Sequence, residues 1–360
     1  MKIVICGLSI TSSWGNGHAT TYRALTRALR ARGHDIVFFE RDQEWYASNR
    51  DMPEPPFCRV HIYEEWQDIV AGLRKELAEA DVAIVGSFFP DGLKAIDTVL
   101  DSAVSVKAFY DIDTPITVSK LRAGDAEYIR RDQIPGLTVY FSFTGGPMLS
   151  ELQVRFGAKR AVPLYCSFDP DRYRWREPDR RYQCDMSYMG TYAPDRQPKL
   201  EELFFKPARE LSEKEFLLAG PQYPVETEWP KNLRRIVHLE PEFHPYFYSS
   251  SLFTLNLTRD AMVQAGNSPS VRLFEAAGCG GAIISDMWPG LETFFNPNEE
   301  ILLAASSTDV ISFLIDVSQE QAKAIGRRAQ ERVLAEHSAQ KRALEFEEII
   351  GSRSLIGQSA

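Results

Sequence analysis

The sequence predicts an α/β protein with two domains. Short apolar runs of strand length alternate with longer stretches of helical periodicity, the pattern of βαβ units. Many of the strand runs end in Gly, Asp, Thr or Ser, as where ligands meet the carboxyl ends of an open α/β sheet. At 360 residues the chain is long enough for two domains, each with its own core.

Lys2–Cys6 is a short β-rich run and reads as a buried parallel strand. Residues 7–17 form a long polar loop, then His18–Arg32 reads as a helix with Tyr22, Leu25, Ala28 and Leu29 on one face, stopped by Gly33. Ile36–Phe39 is the second strand, ending at Glu40. A dinucleotide fold would want G-x-G-x-x-G directly after the first strand and an acid ending the second. Glu40 fits the acid, but the glycines do not fit: Ser9 replaces the second glycine, and Gly15-x-Gly17 comes too late. Trp66–Ala80 reads as a helix, and Asp81–Phe89, Val104–Tyr110 and Leu137–Phe143 as strands. His61 falls in an irregular stretch, and Pro115 is read as stopping a strand. The pair Asp111-x-Asp113 invites a metal, but no third ligand is evident, so a polar strand end is expected there.

Residues 162–168 look like the crossover to a second domain. Met186–Met189 opens that domain, followed by residues 190–196, and strands are expected at Glu215–Ala219 and Ile236–Leu239. His244–Ser250 reads as a helix, with His238 and His244 taken as structural. Leu252–Leu257 is an apolar strand leading into a loop that ends at Gly266-Asn267-Ser268-Pro269. A helix is expected over Ser270–Ala277, with Ser268 as its N-cap and Pro269 in its first turn. Ala282–Ser285 is a buried strand ending at Asp286. Ser318–Glu336 and Ala339–Ile350 read as the last two helices.

Such a glycine-lined helix start offers free backbone N–H groups and a positive dipole end to phosphate. Arg272, one turn in, could clamp it, and Glu275 on the same side is placed for a ribose diol. The same residues also fit a plain capped surface helix with an Arg272–Glu275 ion pair worth ~0.2–0.5 kcal/mol.

Composition narrows the class. A hydrophobic content of 44% and a charged content of 25% are ordinary for a globular protein. The net charge of −9, with no dense Lys/Arg run, argues against nucleic acid as a partner. No run approaches the ~20 apolar residues of a membrane span, so no integral membrane segment is expected. The N-terminal run is too short for a signal peptide and continues into a fold. Cys6, Cys58, Cys166, Cys184 and Cys279 show no C-x-x-C spacing and read as reduced thiols of a cytoplasmic protein.

The order strand, loop, helix with Phe274-Glu275-Ala276, glycines, strand and Asp286 resembles the donor-binding core of GT-B glycosyltransferases. Within them it looks most like the spore-maturation, Cge-type glycosyltransferase-like family. Residues 15–39 are similar to the opening of family-one glycosyltransferases, where Gly-His starts the first helix and Arg-Gly-His leads into the second strand. The resemblance implies the GT-B fold, with two Rossmann-like domains facing a central cleft. It places an acceptor domain at 1–163, a nucleotide-sugar domain at 164–337, and a returning helix with a flexible tail at 338–360. It implies transfer of a sugar from a nucleotide-diphosphate sugar to a glycan or small-molecule acceptor hydroxyl, without metal or other cofactor.

Donor binding would involve Gly15, Gly17, Gly190, Arg196, Lys199, His238, Leu239, Asn267, Ser268, Ser270, Arg272 and Glu275. Arg196 and Lys199 would reach the diphosphate, and His238 and Leu239 would line the base pocket. His18 matches the catalytic base of the family-one enzymes, with Asp111 or Asp113 to orient it. Retaining family-four enzymes carry a second Glu eight residues before the one matching Glu275, where this chain has Asn267. That departure touches the retaining mechanism more than the nucleotide site. A sugar-nucleotide epimerase of the same fold and a non-catalytic glycosyltransferase-like partner subunit are the alternatives.

Overall fold

The structure, a computed structural model, describes residues 1–14 and 17–351. The chain divides into two compact units, Met1–Ser167 joined by the final helix from Ala339, and Phe168–Ser338.

In the first unit β1 (Lys2–Cys6), β2 (Asp35–Arg41), β3 (Arg59–Tyr63), β4 (Val82–Gly86), β5 (Val106–Asp111), β6 (Val139–Ser142) and β7 (Ala161–Pro163) form one parallel sheet. Its order is β3-β2-β1-β4-β5-β6-β7, with Ile3 beside both Ile36 and Val82. Helices cover the central strands, so β4 is buried at every position and reads as a continuous apolar run. The strand order reverses between β1 and β4, the place where an open α/β sheet leaves a crevice at its carboxyl ends.

Ile3, Ile5, Leu25, Leu29, Phe38 and Ile84 share one core with Ala343 and Phe346 of the last helix, Ala339–Gly351. Glu347 of that helix receives His34 Nε2 at 2.7 Å and Arg32 Nη2 at 2.6 Å.

Glu40 is wholly buried. Its carboxylate accepts from the Ser9 hydroxyl at 3.0 Å, the Ile10 and Thr11 amides at 2.6 and 3.0 Å, and the Thr11 hydroxyl at 2.6 Å. A ribose-binding acid would have to face a ligand; this one is consumed in fixing the loop after β1. Arg23 holds the same loop, with Nε on the Ile10 carbonyl at 2.7 Å and both terminal nitrogens on Asp51 at 2.8 Å.

In the second unit β8 (Cys184–Met189), β9 (Phe216–Ala219), β10 (Leu233–Ile236), β11 (Ser251–Asn256), β12 (Ala282–Asp286) and β13 (Leu302–Ala304) form a parallel sheet ordered β10-β9-β8-β11-β12-β13. The reversal falls between β8 and β11. Met186, Tyr188, Phe204, Phe216, Leu255 and Ile284 are among its core residues.

Several elements depart from expectation. β10 lies earlier than Ile236–Leu239: Leu233 and Ile236 pair with Phe216 and Ala219, while Val237 is left 63% exposed. An edge strand can carry the exposed Arg234 and Arg235 between those two residues. His61 sits in the edge strand β3. Pro115 lies in the first turn of a helix, Thr114–Ala123, where its missing N–H costs nothing. Asp260–Ala265 is a short helix within the expected loop. Ser318 closes a capping box with Gln321 at the start of the helix Gln319–Glu336. Among the described residues no helix is long and apolar enough to cross a membrane.

Candidate functional site

In the second unit the candidate groups gather at the carboxyl ends of β8, β11 and β12. The loops leaving β8 and β9 touch so closely that glycine is required at 220, and Gly190 leaves room for the buried Tyr188 ring. A Cβ on Gly190 would lie 2.6 Å from the Tyr188 hydroxyl, and one on Gly220 would lie 2.0 Å from the Gly190 carbonyl oxygen. The Tyr223 hydroxyl donates to that carbonyl at 3.0 Å.

The β8 loop carries Arg196. Its Nη2 donates to the Thr191 carbonyl at 2.6 Å, while its Nε is buried with no partner among the described residues. Burial holds this guanidinium below its ordinary pKa, and the charges of Arg272 and Arg259 push the same way against the opposing effect of Tyr188. Arg272 lies over the Tyr188 ring, 5.6 Å from its centre, with Nη1 buried and unpartnered among the described residues. Two guanidiniums are thus held near one tyrosine with N–H groups unspent, an arrangement that favours an anion.

The helix carrying Arg272 runs Val271–Gly278, and its N-cap is Ser270, not Ser268. Pro269 therefore precedes the cap. Ser270 makes no side-chain cap bond, so the first-turn amides are not satisfied by a cap. Ser268 is buried just before it. Gly266 and Asn267 both have positive φ, 66° and 45°, which glycine and asparagine tolerate best. Asn267 is tied to the following loop by its amide, on the Pro289 carbonyl at 2.7 Å, and by Nδ2, 3.4 Å from the Thr293 hydroxyl.

Glu275 is 7% exposed. Burial raises its carboxyl to about 7, against the opposing effect of the Tyr173 hydroxyl and the charges of Arg272 and Arg172. The Tyr173 hydroxyl also lies 3.4 Å from His244 Nδ1, and His244 Nε2 is 3.2 Å from the Leu239 carbonyl. Burial pushes His244 down to about 4, so its ring is neutral at pH 7. Leu239 thus joins the group through its backbone, while His238 is exposed.

Lys199 is a tether. Its Nζ donates to the Thr258 carbonyl at 2.8 Å and pairs with Asp286 at 3.1 Å and Asp260 at 3.3 Å. The other Asp286 oxygen receives the Thr258 amide and hydroxyl at 3.0 and 2.9 Å. Of the three expected cations, Arg196 and Arg272 therefore keep an N–H group without a partner among the described residues, and Lys199 does not.

In the first unit His18 follows the exposed Gly17 in the first turn of the helix Gly17–Ala31. Gly15 lies outside the described residues. His18 Nε2 is 2.8 Å from Asp113 Oδ2, which also receives the Ser87 hydroxyl at 3.1 Å. Asp111 stands behind this pair, fully buried. It accepts from the Tyr140 hydroxyl at 2.5 Å, the Thr117 hydroxyl at 2.7 Å and the Asp113 amide at 3.2 Å. Burial raises it to about 7, against those hydroxyls. Asp113 is thus the acid that touches His18.

Phe88, at the end of β4, has φ 56°, a costly conformation for a bulky residue, and its ring lies 6.1 Å from His18 edge-on. Among the described residues no three His, Cys, Asp or Glu side chains converge as a metal site. Sequence reasoning missed Tyr173, which comes from the irregular segment between strands and carries no local signal; His244, taken as structural, is held between Tyr173 and the Leu239 carbonyl.

No curated protein matches the chain in sequence. Similar folds occur in a sucrose-phosphate synthase from Thermosynechococcus elongatus, with 13% identity and TM-score 0.66 over 100% of both chains. Anabaena HepE in complex with UDP and glucose is similar at 11% identity and TM-score 0.67, covering 98% of this chain and 100% of that one. An alpha-glucosyltransferase in complex with UDP is similar at 12% identity and TM-score 0.72, again over 98% and 100%. Residues 196–348 match the glycosyl transferase-like family. The chain has the GT-B fold of two Rossmann-like domains, and its match to the glycosyl transferase-like family lies within the second of its two units and the returning helix.

Proposed function

We propose that this protein is a glycosyltransferase that moves a sugar from a nucleoside-diphosphate sugar to an acceptor hydroxyl. The observation that carries the reading is the pair of unspent guanidiniums, Arg196 and Arg272, beside a helix start with no side-chain cap. A leaving diphosphate gains charge as the glycosidic bond breaks, and preorganised cations and a helix dipole stabilise that charge. With those groups in place, transfer needs no divalent ion. Glu275, one turn into the same helix, accepts from the ribose hydroxyls. The family match over residues 196–348 supports this assignment, and the strand–helix–strand sequence around Glu275 favours the Cge-type branch. Two of the similar structures hold UDP, so UDP-sugars lead the donor candidates.

The first unit supplies the base. An acceptor hydroxyl must lose its proton as it attacks, and histidine accepts a proton near neutral pH. Asp113, 2.8 Å from the ring, orients the imidazole and stabilises the imidazolium that forms. Transfer by such a base proceeds with inversion.

A thermal-shift panel of UDP, GDP, TDP, ADP and CDP tests the donor half. A ligand at ~100-fold excess over its Kd adds ~2.7 kcal/mol. At least one should raise the melting temperature of the wild type and much less that of Arg272→Ala. No shift with any of the five would reject the nucleotide site.

A further inference from the structure

The second unit carries a cavity that the transferase reading does not use. It measures about 1060 Å³ and includes Cys184, Ser251 and Ala282, the first residues of β8, β11 and β12. It therefore opens at the amino-terminal end of the sheet, opposite the end that bears Gly190, Asn256 and Asp286.

Its volume is at the top of the ~300–1,000 Å³ range of small-ligand sites, so it holds a ligand of several rings. Trp175 stands on the wall with 51% of its surface exposed. Gly280 lies against it: a Cβ there would come within 3.7 Å of the indole. The polar lining mixes signs, carrying Glu177, Asp185 and Glu215 as well as Lys323 and Arg327, with Asp185 also held by Lys214 at 3.3 Å. Carboxylates in that number oppose a polyanion, the cations oppose a cationic ligand, and charged groups of both signs on the wall oppose a lipid tail. A neutral ligand with one apolar face and many hydroxyls satisfies all of them. Sugar rings have that form: the apolar face stacks on an indole, and the hydroxyls both donate to carboxylates and accept from guanidinium and ammonium groups.

We propose that this cavity is a second carbohydrate-binding site, for a neutral oligosaccharide stacked on Trp175. The proposal does not depend on the assignment of the donor site.

Isothermal titration with maltohexaose, cellohexaose and chitohexaose, in excess UDP, tests it. Heparin hexasaccharide serves as the anionic comparison. At least one neutral hexasaccharide should bind with a Kd on the order of millimolar. Trp175→Ala should weaken it ~10-fold or more, Trp175→Phe should keep most of the affinity, and Arg327→Ala should weaken it without loss of fold. Failure of all three neutral sugars to bind would overturn the proposal. So would tighter binding of the heparin probe, or affinity untouched in both Trp175→Ala and Arg327→Ala.

Discussion

Replacing Glu275 by glutamine should make the ligand-free protein more stable above neutral pH. The carboxyl is raised from 4.5 to about 7, chiefly by burial. Between those values the unfolded chain has released the proton and the folded chain still holds it. Unfolding then releases protons, so the stability contributed by Glu275 falls as pH rises through this window, and the penalty is complete above about pH 7. The interval corresponds to roughly 3 kcal/mol. Glutamine has the same shape, keeps an acceptor for the Tyr173 hydroxyl and carries no charge at any pH. Calorimetry of ligand-free wild type and Glu275→Gln should show nearly equal melting near about pH 5 and a lead of several degrees for the variant near about pH 8. Asp111, also raised to about 7, is common to both proteins and cancels. Melting curves that run parallel across pH, or a variant less stable throughout, would refute the reasoning. The folded protein bears this cost, on the present account, because the carboxylate serves the ligand.

Glu275→Ala should weaken nucleoside-diphosphate binding by roughly 1.5–3 kcal/mol, as for lost hydrogen bonds to a charged group; unchanged affinity in a folded variant would remove Glu275 from the ribose site. Arg196→Ala and Arg272→Ala should each cost far more affinity for a nucleoside diphosphate than for the plain nucleoside, and equal losses would reject the diphosphate assignment. His18→Ala should slow turnover on the order of 10²–10⁴-fold with donor affinity nearly constant; near-normal turnover would dismiss His18 as the base, and turnover lost on adding EDTA would dismiss metal-independent transfer. Glu40→Ala should destabilise the protein by ~3 kcal/mol or more, because buried donors of the loop after β1 lose their acceptor. A loss under ~1 kcal/mol in urea unfolding would show that the loop does not depend on it.

Strand cores were the most legible part of the sequence. β1, β4 and β12 are buried on both faces, so their composition alone marks them. Edge strands were not legible: β3 buries only Tyr63 and shows no regular alternation, and β10 carries two exposed arginines between buried Leu233 and half-buried Ile236. The helices that were expected start within a residue or two of their predicted places, and the error at Ser268 arose because Pro269 pointed to the wrong N-cap.

At the site, charge type was readable and pairing was not. Arg196, Lys199 and Arg272 look alike in the sequence, but only the fold shows that Asp286 and Asp260 engage Lys199. The choice between Asp111 and Asp113 likewise depended on which faced His18: Asp111 ends β5, while Asp113 lies past it at the start of the next helix, where the strand's alternation no longer applies. Tyr173 approaches Glu275 from a distant segment, a relation that spacing does not encode.

The central claim is sugar transfer, and product analysis tests it most directly. The protein is incubated with UDP-, GDP-, TDP-, ADP- and CDP-sugars, with and without a hydroxyl-bearing glycan acceptor. Released nucleotide, residual donor and acceptor are then separated by chromatography and identified by mass spectrometry and NMR, which tells a sugar from its epimer. The account predicts nucleoside diphosphate in step with a glycosylated acceptor, abolished by Arg272→Ala. Donor recovered with its sugar epimerised, or bound and returned unchanged in the presence of acceptor, would contradict it.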